Sequence, residues 1–318
     1  MASIISSAFG FFGGVQGGFN GGGSSAAPGA PFPAIYAFGD SLSDAGNDFK
    51  LSLDVLPVSP PYSDGRFSNG PVWVQDLAPA LGLPSPSPSL SGGTDFAYGG
   101  AETGTDPLHT ANFIDLPSQL QQFKVEIPHP NSSALYTLSA GSNDVLDAIP
   151  AWFSNPQLAI SDLQAGVNNI EHFVAGLAGD GARNFLLLNV PDIADTPTET
   201  SQGSAHVVVA SALSSLFDAD LSQTMQVLAA QAHLNIHVVD TFSLIDQAVA
   251  NPSMFGLTNV TEPVWTGNFT DPNSGALNAT TPAAQNQFLF WDSLHPTAQG
   301  HSVVAQTAQT DLAGPPLA

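Results

Sequence analysis

Residues 34–48 read AIYAFGDSLSDAGND: five mostly apolar residues run into Gly39-Asp40-Ser41, and small and acidic residues follow. An apolar run of this length, closed by glycine, is a candidate buried strand. Ser41 then stands just past the strand's carboxyl end, where open parallel sheets bind their ligands. Taken alone, a GDS triplet in that position is equally a turn that ends a strand. The rest of the chain decides between a turn residue and a nucleophile.

The wider pattern alternates strand-like and helical segments. Apolar runs end in small residues at 95–100 (DFAYGG) and 134–144 (ALYTLSAGSND), and recur at 184–190 (NFLLLNV) and 235–240 (NIHVVD). Helical spacing appears at 68–82, where Trp73, Leu77 and Leu81 repeat every four residues. It recurs at 158–178, where Leu163, Val167, Ile170, Val174 and Leu177 step by 4, 3, 4 and 3. Residues 205–232 form a second long helical stretch, and residues 295–314 a closing helix. Residues 84–93 are rich in Pro and Ser and read as loop, as does the Asn-, Pro- and Thr-rich segment 250–286. Phe255, Trp265 and Phe269 make that second loop either a substrate-facing wall or a packed surface excursion. Strand alternating with helix predicts an α/β fold with a mainly parallel central sheet covered on both faces, in one domain over 34–318. Residues 1–33, rich in Gly, Ser and Ala, read as a flexible tail that lacks the cationic and compact apolar regions of a signal peptide.

Composition narrows the chemistry. The chain has 27 acidic residues against Lys50, Arg66, Lys124 and Arg183, for a net charge of −23. Four cations cannot line a phosphate-tracking groove, so a nucleic-acid partner is excluded as an expectation. There is no cysteine, which removes disulfides, thiolate metal sites and cysteine nucleophiles. No apolar run reaches the roughly 18 residues of a membrane span. An acidic chain of this kind suits a secreted, extracellular protein.

The residues that follow the strands have one chemistry in common. Ser41 follows the first strand, Gly99-Gly100 the second, Gly141 to Asp144 the third, and Asp292 and His295 a short apolar run before the last helix. A serine hydroxyl becomes a useful nucleophile when a nearby imidazole takes its proton. A carboxylate three residues away in a turn can hold that imidazole in the required tautomer. Backbone N–H groups at Ser41 and Gly100 and the side-chain amide of Asn143 can serve as an oxyanion hole. Asp144 is assigned to capping the helix after its strand. The other seven histidines have no comparable neighbours.

Five blocks, FGDSLSDAGN (38–47), GRFSNGPVWVQDLA (65–78), FAYGGA (96–101), AGSND (140–144) and FWDSLHPT (290–297), resemble the successive conserved blocks of the GDSL, or SGNH, esterase/lipase family, in the family's order. GRFSNG and the final block are similar to plant-type and bacterial secreted members. The resemblance implies a three-layer α/β/α flavodoxin-like fold. It also implies Ser41 as nucleophile, His295 as general base oriented by Asp292, and Gly100 and Asn143 completing the oxyanion hole with Ser41. It implies no cofactor and no metal, and a small-molecule or lipid ester as substrate. Asp95 stands where the family's glycine block begins with Asn, so counting onward reaches Gly100, with Gly99 as the neighbouring alternative. The same residues serve an esterase, a phospholipase, an acyltransferase or a carbohydrate acetylesterase, and a binding protein that kept the fold would carry them too.

Two acidic patterns call to mind metal loops without matching them. Asp40, Asp44 and Asp48 are spaced by four, unlike the alternate ligands of an EF-hand loop. Residues 99–106, GGAETGTD, do not fit the glycine-rich nonapeptide repeat.

Overall fold

A computed structural model describes residues 26–317. Its first half contains β1 (Ile35–Gly39), α1 (Asn47–Leu51), α2 (Trp73–Ala80), α3 (Leu116–Glu126), β2 (Leu135–Ser139), α4 (Ser142–Trp152) and α5 (Pro156–Gly179). The second half adds β3 (Asn184–Leu188), α6 (Pro197–Ser201), α7 (Ser204–Ala232), β4 (Asn235–Val239), α8 (Thr241–Ala250), β5 (Asn259–Pro263), α9 (Pro282–Gln285), β6 (Phe288–Phe290) and α10 (Ala298–Leu312). Strands β1 to β4 pair in sequence order, all parallel and in flush register, with Ile35 beside Leu135, Leu135 beside Asn184, and Asn184 beside Asn235.

The strands alternate faces, and the alternation builds three layers. Phe38, Tyr136, Leu138, Phe185 and Leu187 pack with buried residues of α3, α4, α5 and α7. Their neighbours Ile35, Ala37, Leu135, Leu186 and Leu188 pack on the opposite side against α2, α8 and α10. Each strand therefore buries both faces, which is why NFLLL reads as a continuous apolar run rather than an alternating one.

The expected strand at 95–100 is a single parallel bridge from Asp95 to Ala37. Ala37 N–H donates to Thr94 O at 3.0 Å, Phe96 N–H to Ala37 O at 2.7 Å, and Tyr98 N–H to Gly39 O at 3.1 Å. This segment lies along the free edge of β1, so the sheet runs in the 2-1-3-4-5 order of flavodoxin-like folds if the segment counts as the second strand. The segment 250–286 is more structured than its composition implies. It contains β5, which pairs with β6 in a separate two-stranded sheet, and the short helix α9. Most of the expected tail lies outside the described residues. At its end, Ala27 N–H donates to Gly82 O at 2.8 Å, and Ala26, Ala30 and Phe32 pack against the α2 side of the core.

The carboxyl edge of the sheet depends on Gly39. Its φ of 126° is open to glycine, and a Cβ placed there would lie 1.8 Å from the carbonyl oxygen of Ser139 on β2. The Gln119 side chain from α3 clasps the same peptide from the other side: Gly39 N–H donates to its Oε1 at 2.9 Å, and its Nε2 donates to Gly39 O at 2.8 Å. Gly39→Ala is expected to cost at least about 2 kcal/mol, because strain at φ and overpacking against backbone add. Denaturant unfolding checks this, and an unchanged midpoint would refute the close approach.

Candidate active site

Beyond Gly39 the ladder continues for one bond, Asp40 N–H to Ser139 O at 3.0 Å, and the chain then turns sharply. Ser43 and Asp44 both donate their N–H groups to Asp40 O, at 3.0 and 3.1 Å, and Leu42 N–H donates to Asp40 Oδ1 at 2.9 Å. Ser41 stands at the tip of this turn, and among the described residues its own N–H has no hydrogen-bond partner.

The second half of the site comes from the other end of the chain. After β6, Trp291 N–H donates to His295 O at 2.7 Å, closing a tight turn. Inside it, Leu294 and His295 donate their backbone N–H groups to Asp292 Oδ1 at 2.9 and 2.7 Å. This fixes the carboxylate against the imidazole of the same turn, with His295 Nδ1 2.8 Å from Asp292 Oδ2. On the far side of the ring, His295 Nε2 lies 2.9 Å from Ser41 Oγ. Tyr62, which the sequence reading passed over, donates its hydroxyl to Asp292 Oδ2 at 2.7 Å. It comes from an irregular loop with no periodic signal, 230 residues from Asp292, so no local pattern pointed to it.

The charges in this chain of contacts are set by opposing forces. Burial alone would push the His295 imidazole down, but the charge and hydrogen bond of Asp292, with the charge of Asp40, leave it above its ordinary value. Burial likewise pushes Asp292 upward, and the His295 charge and the hydrogen bonds from His295 and Tyr62 leave it below the ordinary carboxylate value. Asp40, whose Oδ2 is buried without a partner, is raised to about 7 by burial.

The remaining predicted residues line the other side of Ser41. Asn143 opens α4, and its Nδ2 donates to Ala101 O at 2.7 Å, which leaves the second N–H of the amide uncommitted. Gly100 is exposed with φ 72°, and among the described residues its N–H has no protein partner. The N–H of Gly99 is engaged, donating to Asp44 Oδ2 at 3.3 Å. Asp144 does not cap α4: its carboxylate accepts from the Thr103 hydroxyl and, at 3.3 Å, from Thr103 N–H.

A cleft opens over Ser41, Asn143 and His295, with Leu42, Leu146, Pro191, Ile193, Ile245 and Leu294 in its walls. Neither Phe255, Trp265 nor Phe269 lines it. Trp265 is buried with Tyr62, Val264 and Trp291, and Phe255 and Phe269 pack against small apolar clusters, so the loop is a packed excursion. Of the other histidines, His301 is buried, accepts from Trp73 N–H at 3.3 Å, and is pushed down to about 3 by burial and then by the His295 charge.

The His295 imidazole is expected to titrate above about 6.5 in a histidine NMR titration. Asp292→Asn removes the charge that offsets burial and should bring it below that value. A wild-type midpoint below the ordinary value would contradict the balance described.

The family model described as GDSL-like Lipase/Acylhydrolase matches residues 35–308. A phosphatidylcholine-sterol acyltransferase of Aeromonas hydrophila is 27% identical over 88% of this chain and 90% of its own length. A GDSL esterase/lipase of Arabidopsis thaliana is 27% identical over 89% of this chain and 87% of its own. Among solved structures, LAE5, an alpha/beta hydrolase enzyme from the metagenome of Lake Arreo, Spain, aligns over 89% of this chain and 99% of that one at 16% identity, with a TM-score of 0.46.

Proposed function

The chain belongs to the GDSL-like lipase/acylhydrolase family, and from that premise we propose that it is a serine carboxylic-ester hydrolase that works through an acyl-enzyme on Ser41. The observation that carries this reading is the continuous contact from Ser41 Oγ to His295 Nε2 at 2.9 Å and from His295 Nδ1 to Asp292 Oδ2 at 2.8 Å. An imidazole held between a hydroxyl and a buried carboxylate is placed to accept the hydroxyl proton and to have its charge stabilised as it does so.

In the first half-reaction Ser41 Oγ forms a bond to the ester carbonyl carbon as its proton passes to His295 Nε2. The carbonyl electron pair moves onto oxygen. The N–H groups of Ser41 and Gly100 and the uncommitted N–H of Asn143 take up that charge. The tetrahedral adduct collapses, the alkoxide leaves with the proton from His295, and the acyl group stays on Ser41. In the second half, water gives a proton to His295 as its oxygen attacks the acyl carbon, and Ser41 leaves with that proton. Asp292 keeps the Nδ1 proton in place throughout, and Tyr62 holds Asp292. The apolar walls of the cleft support an acyl chain as the recognised part of the substrate.

A second reading differs only in the deacylating nucleophile. The similarity to a protein named phosphatidylcholine-sterol acyltransferase favours an alcohol in place of water. Product analysis with and without an added alcohol acceptor separates the two.

Ser41→Ala should lower kcat on chromogenic esters by at least about 10³-fold with the fold intact. A serine-directed phosphonate should add its mass to the peptide that contains Ser41. Retained turnover, or labelling elsewhere, would remove Ser41 from the reaction. Asn143→Ala should cost about 10²-fold or more in kcat with little change in KM, the signature of a donor used in the transition state. Tyr62→Phe acts through Asp292 and should move the acidic limb of the pH–rate profile together with kcat. A loss of kcat with an unmoved profile would make Tyr62 a packing residue only.

A further inference from the structure

Behind the Asn143 wall lies a second group of polar side chains that the proposed reaction does not use. Glu102 and Asp106, on the loop between the edge segment and α3, and Asp144, in the first turn of α4, each bring one carboxylate oxygen to within 4.8 Å of the other two. Asp162 of α5 joins them, because Leu108 N–H donates to both Asp106 Oδ1 at 2.8 Å and Asp162 Oδ1 at 2.9 Å.

The charges of this group are not matched within the protein. Among the described residues, Lys50 pairs with Asp54, Arg66 with Asp64 and Lys124 with Asp180, while Arg183 donates to the carbonyl oxygens of Ala178 and Ala182. The cation-capable neighbour is His109, whose Nδ1 lies 3.1 Å from Glu102 Oε1 and whose Nε2 lies 2.8 Å from Asp115 Oδ2.

The hydrogen bonds add an independent observation. Among the described residues Glu102 Oε2 is buried and has no hydrogen-bond partner, while the Asp162 carboxyl hydrogen-bonds with that of Asp106. Glu102 and Asp162 are only 8% and 1% exposed. A buried carboxylate oxygen without a donor is costly, and Glu102, which carries one, belongs to the three-carboxylate group.

We propose that Glu102, Asp106 and Asp144, supported by Asp162, bind one calcium ion. The donors are all oxygen, which selects a hard cation. Three carboxylates in one protein cage suit Ca²⁺, which takes six to eight oxygens in flexible geometry, whereas Mg²⁺ keeps several waters and is usually held through one or two carboxylates. The surroundings hold the set in place. The Thr103 hydroxyl donates to Asp144 Oδ1, and Asn169 Nδ2 donates to Thr105 O at 3.1 Å, pinning the loop to α5. Gly166 leaves room for Asp144, since a Cβ there would lie 2.9 Å from its Oδ1.

The site adjoins the proposed oxyanion hole through the chain itself. Asp144 follows Asn143, and Glu102 follows Ala101, whose carbonyl holds the Asn143 amide at 2.7 Å. The ion braces the wall that carries Asn143.

The full chain, dialysed against EGTA, is titrated with CaCl₂ by calorimetry, in parallel with its Ser41→Ala form. One saturable site per chain, of equal affinity in both, is expected; it would stand whether or not Ser41 is the nucleophile. Glu102→Gln and the less buried Asp106→Asn should each weaken binding at least tenfold, while exposed Asp64→Asn leaves it unchanged. Crystals grown with CaCl₂ should show anomalous density between Glu102, Asp106 and Asp144, a readout independent of how the variants fold. Non-saturating uptake, tighter binding of Mg²⁺ than of Ca²⁺, folded variants that bind as well as wild type, or density only elsewhere would each overturn the assignment.

Discussion

Asp44 is fully buried, and its carboxylate accepts from four backbone N–H groups: Gly46 at 2.7 Å and Asn47 at 2.5 Å on one oxygen, Asp48 at 3.2 Å and Gly99 at 3.3 Å on the other. Burial raises it to about 6, and the backbone donors restrain that rise. Three of those N–H groups belong to the loop and helix that follow Ser41, and the fourth to the glycine loop. A single carboxylate thereby ties the two loops on either side of the candidate oxyanion hole. Asp95 reinforces the tie, accepting from Ala45 N–H at 2.6 Å and Ala97 N–H at 3.1 Å, while Asn47 Nδ2 donates to the carbonyls of Asp95 and Ala97. With Gly99 held by Asp44, Gly100 is the residue of the pair whose N–H has no partner among the described residues.

The two halves of the site differ in how they are built. The Asp292–His295 pair is local: one turn presents a carboxylate to the imidazole three residues on, and the backbone of the same turn satisfies the carboxylate's other oxygen. Ser41 is placed non-locally, by the register of β1 on β2, by the contact of Gly39 with Ser139, and by Gln119 reaching 80 residues back to clasp Gly39. The site forms where these two constructions meet across 254 residues of sequence. That separation also accounts for its dependence on the sheet: α10, which follows His295, packs on the same face of the sheet as α2 and α8 and carries the turn to the carboxyl edge.

The same division governs what could be read from the sequence. Strands buried on both faces announce themselves as apolar runs, and helices that bury one stripe announce themselves by spacing, so β1 to β4, α2, α5, α7 and α10 were legible. Ser41, Asn143, Asp292 and His295 were legible because each follows a strand or precedes a helix in a block of distinctive residues. β5 was not, because its five residues are half-buried or exposed and its pairing partner β6 lies about 25 residues away beyond Asn-rich chain. Tyr62 and Gln119 were invisible for a related reason. Each acts through polar side-chain atoms whose partners are fixed only by the fold. Asp144 was misread because a carboxylate in the first turn of a helix ordinarily serves that helix, whereas here Thr103 from another loop takes its place as partner.

A chain with 27 acidic residues and four cations must decide what faces each carboxylate it buries. Asp44 and Asp95 face backbone amides, which supply fixed positive dipoles without a charge that could be displaced. Asp292 faces an imidazole and a phenol, and that pairing keeps it ionised while lifting the basicity of the ring. Asp40 has a single satisfied oxygen and is raised to about 7, so the charge it lends to His295 is itself lost as the pH falls through neutrality. Glu102 retains an oxygen that no group among the described residues meets. Backbone dipoles make a carboxylate scaffold, an imidazole partner lets it hold a ring in one orientation, and a buried cluster with a donorless oxygen is the setting of the proposed cation. The nature of the partner, rather than the carboxylate, distinguishes the three.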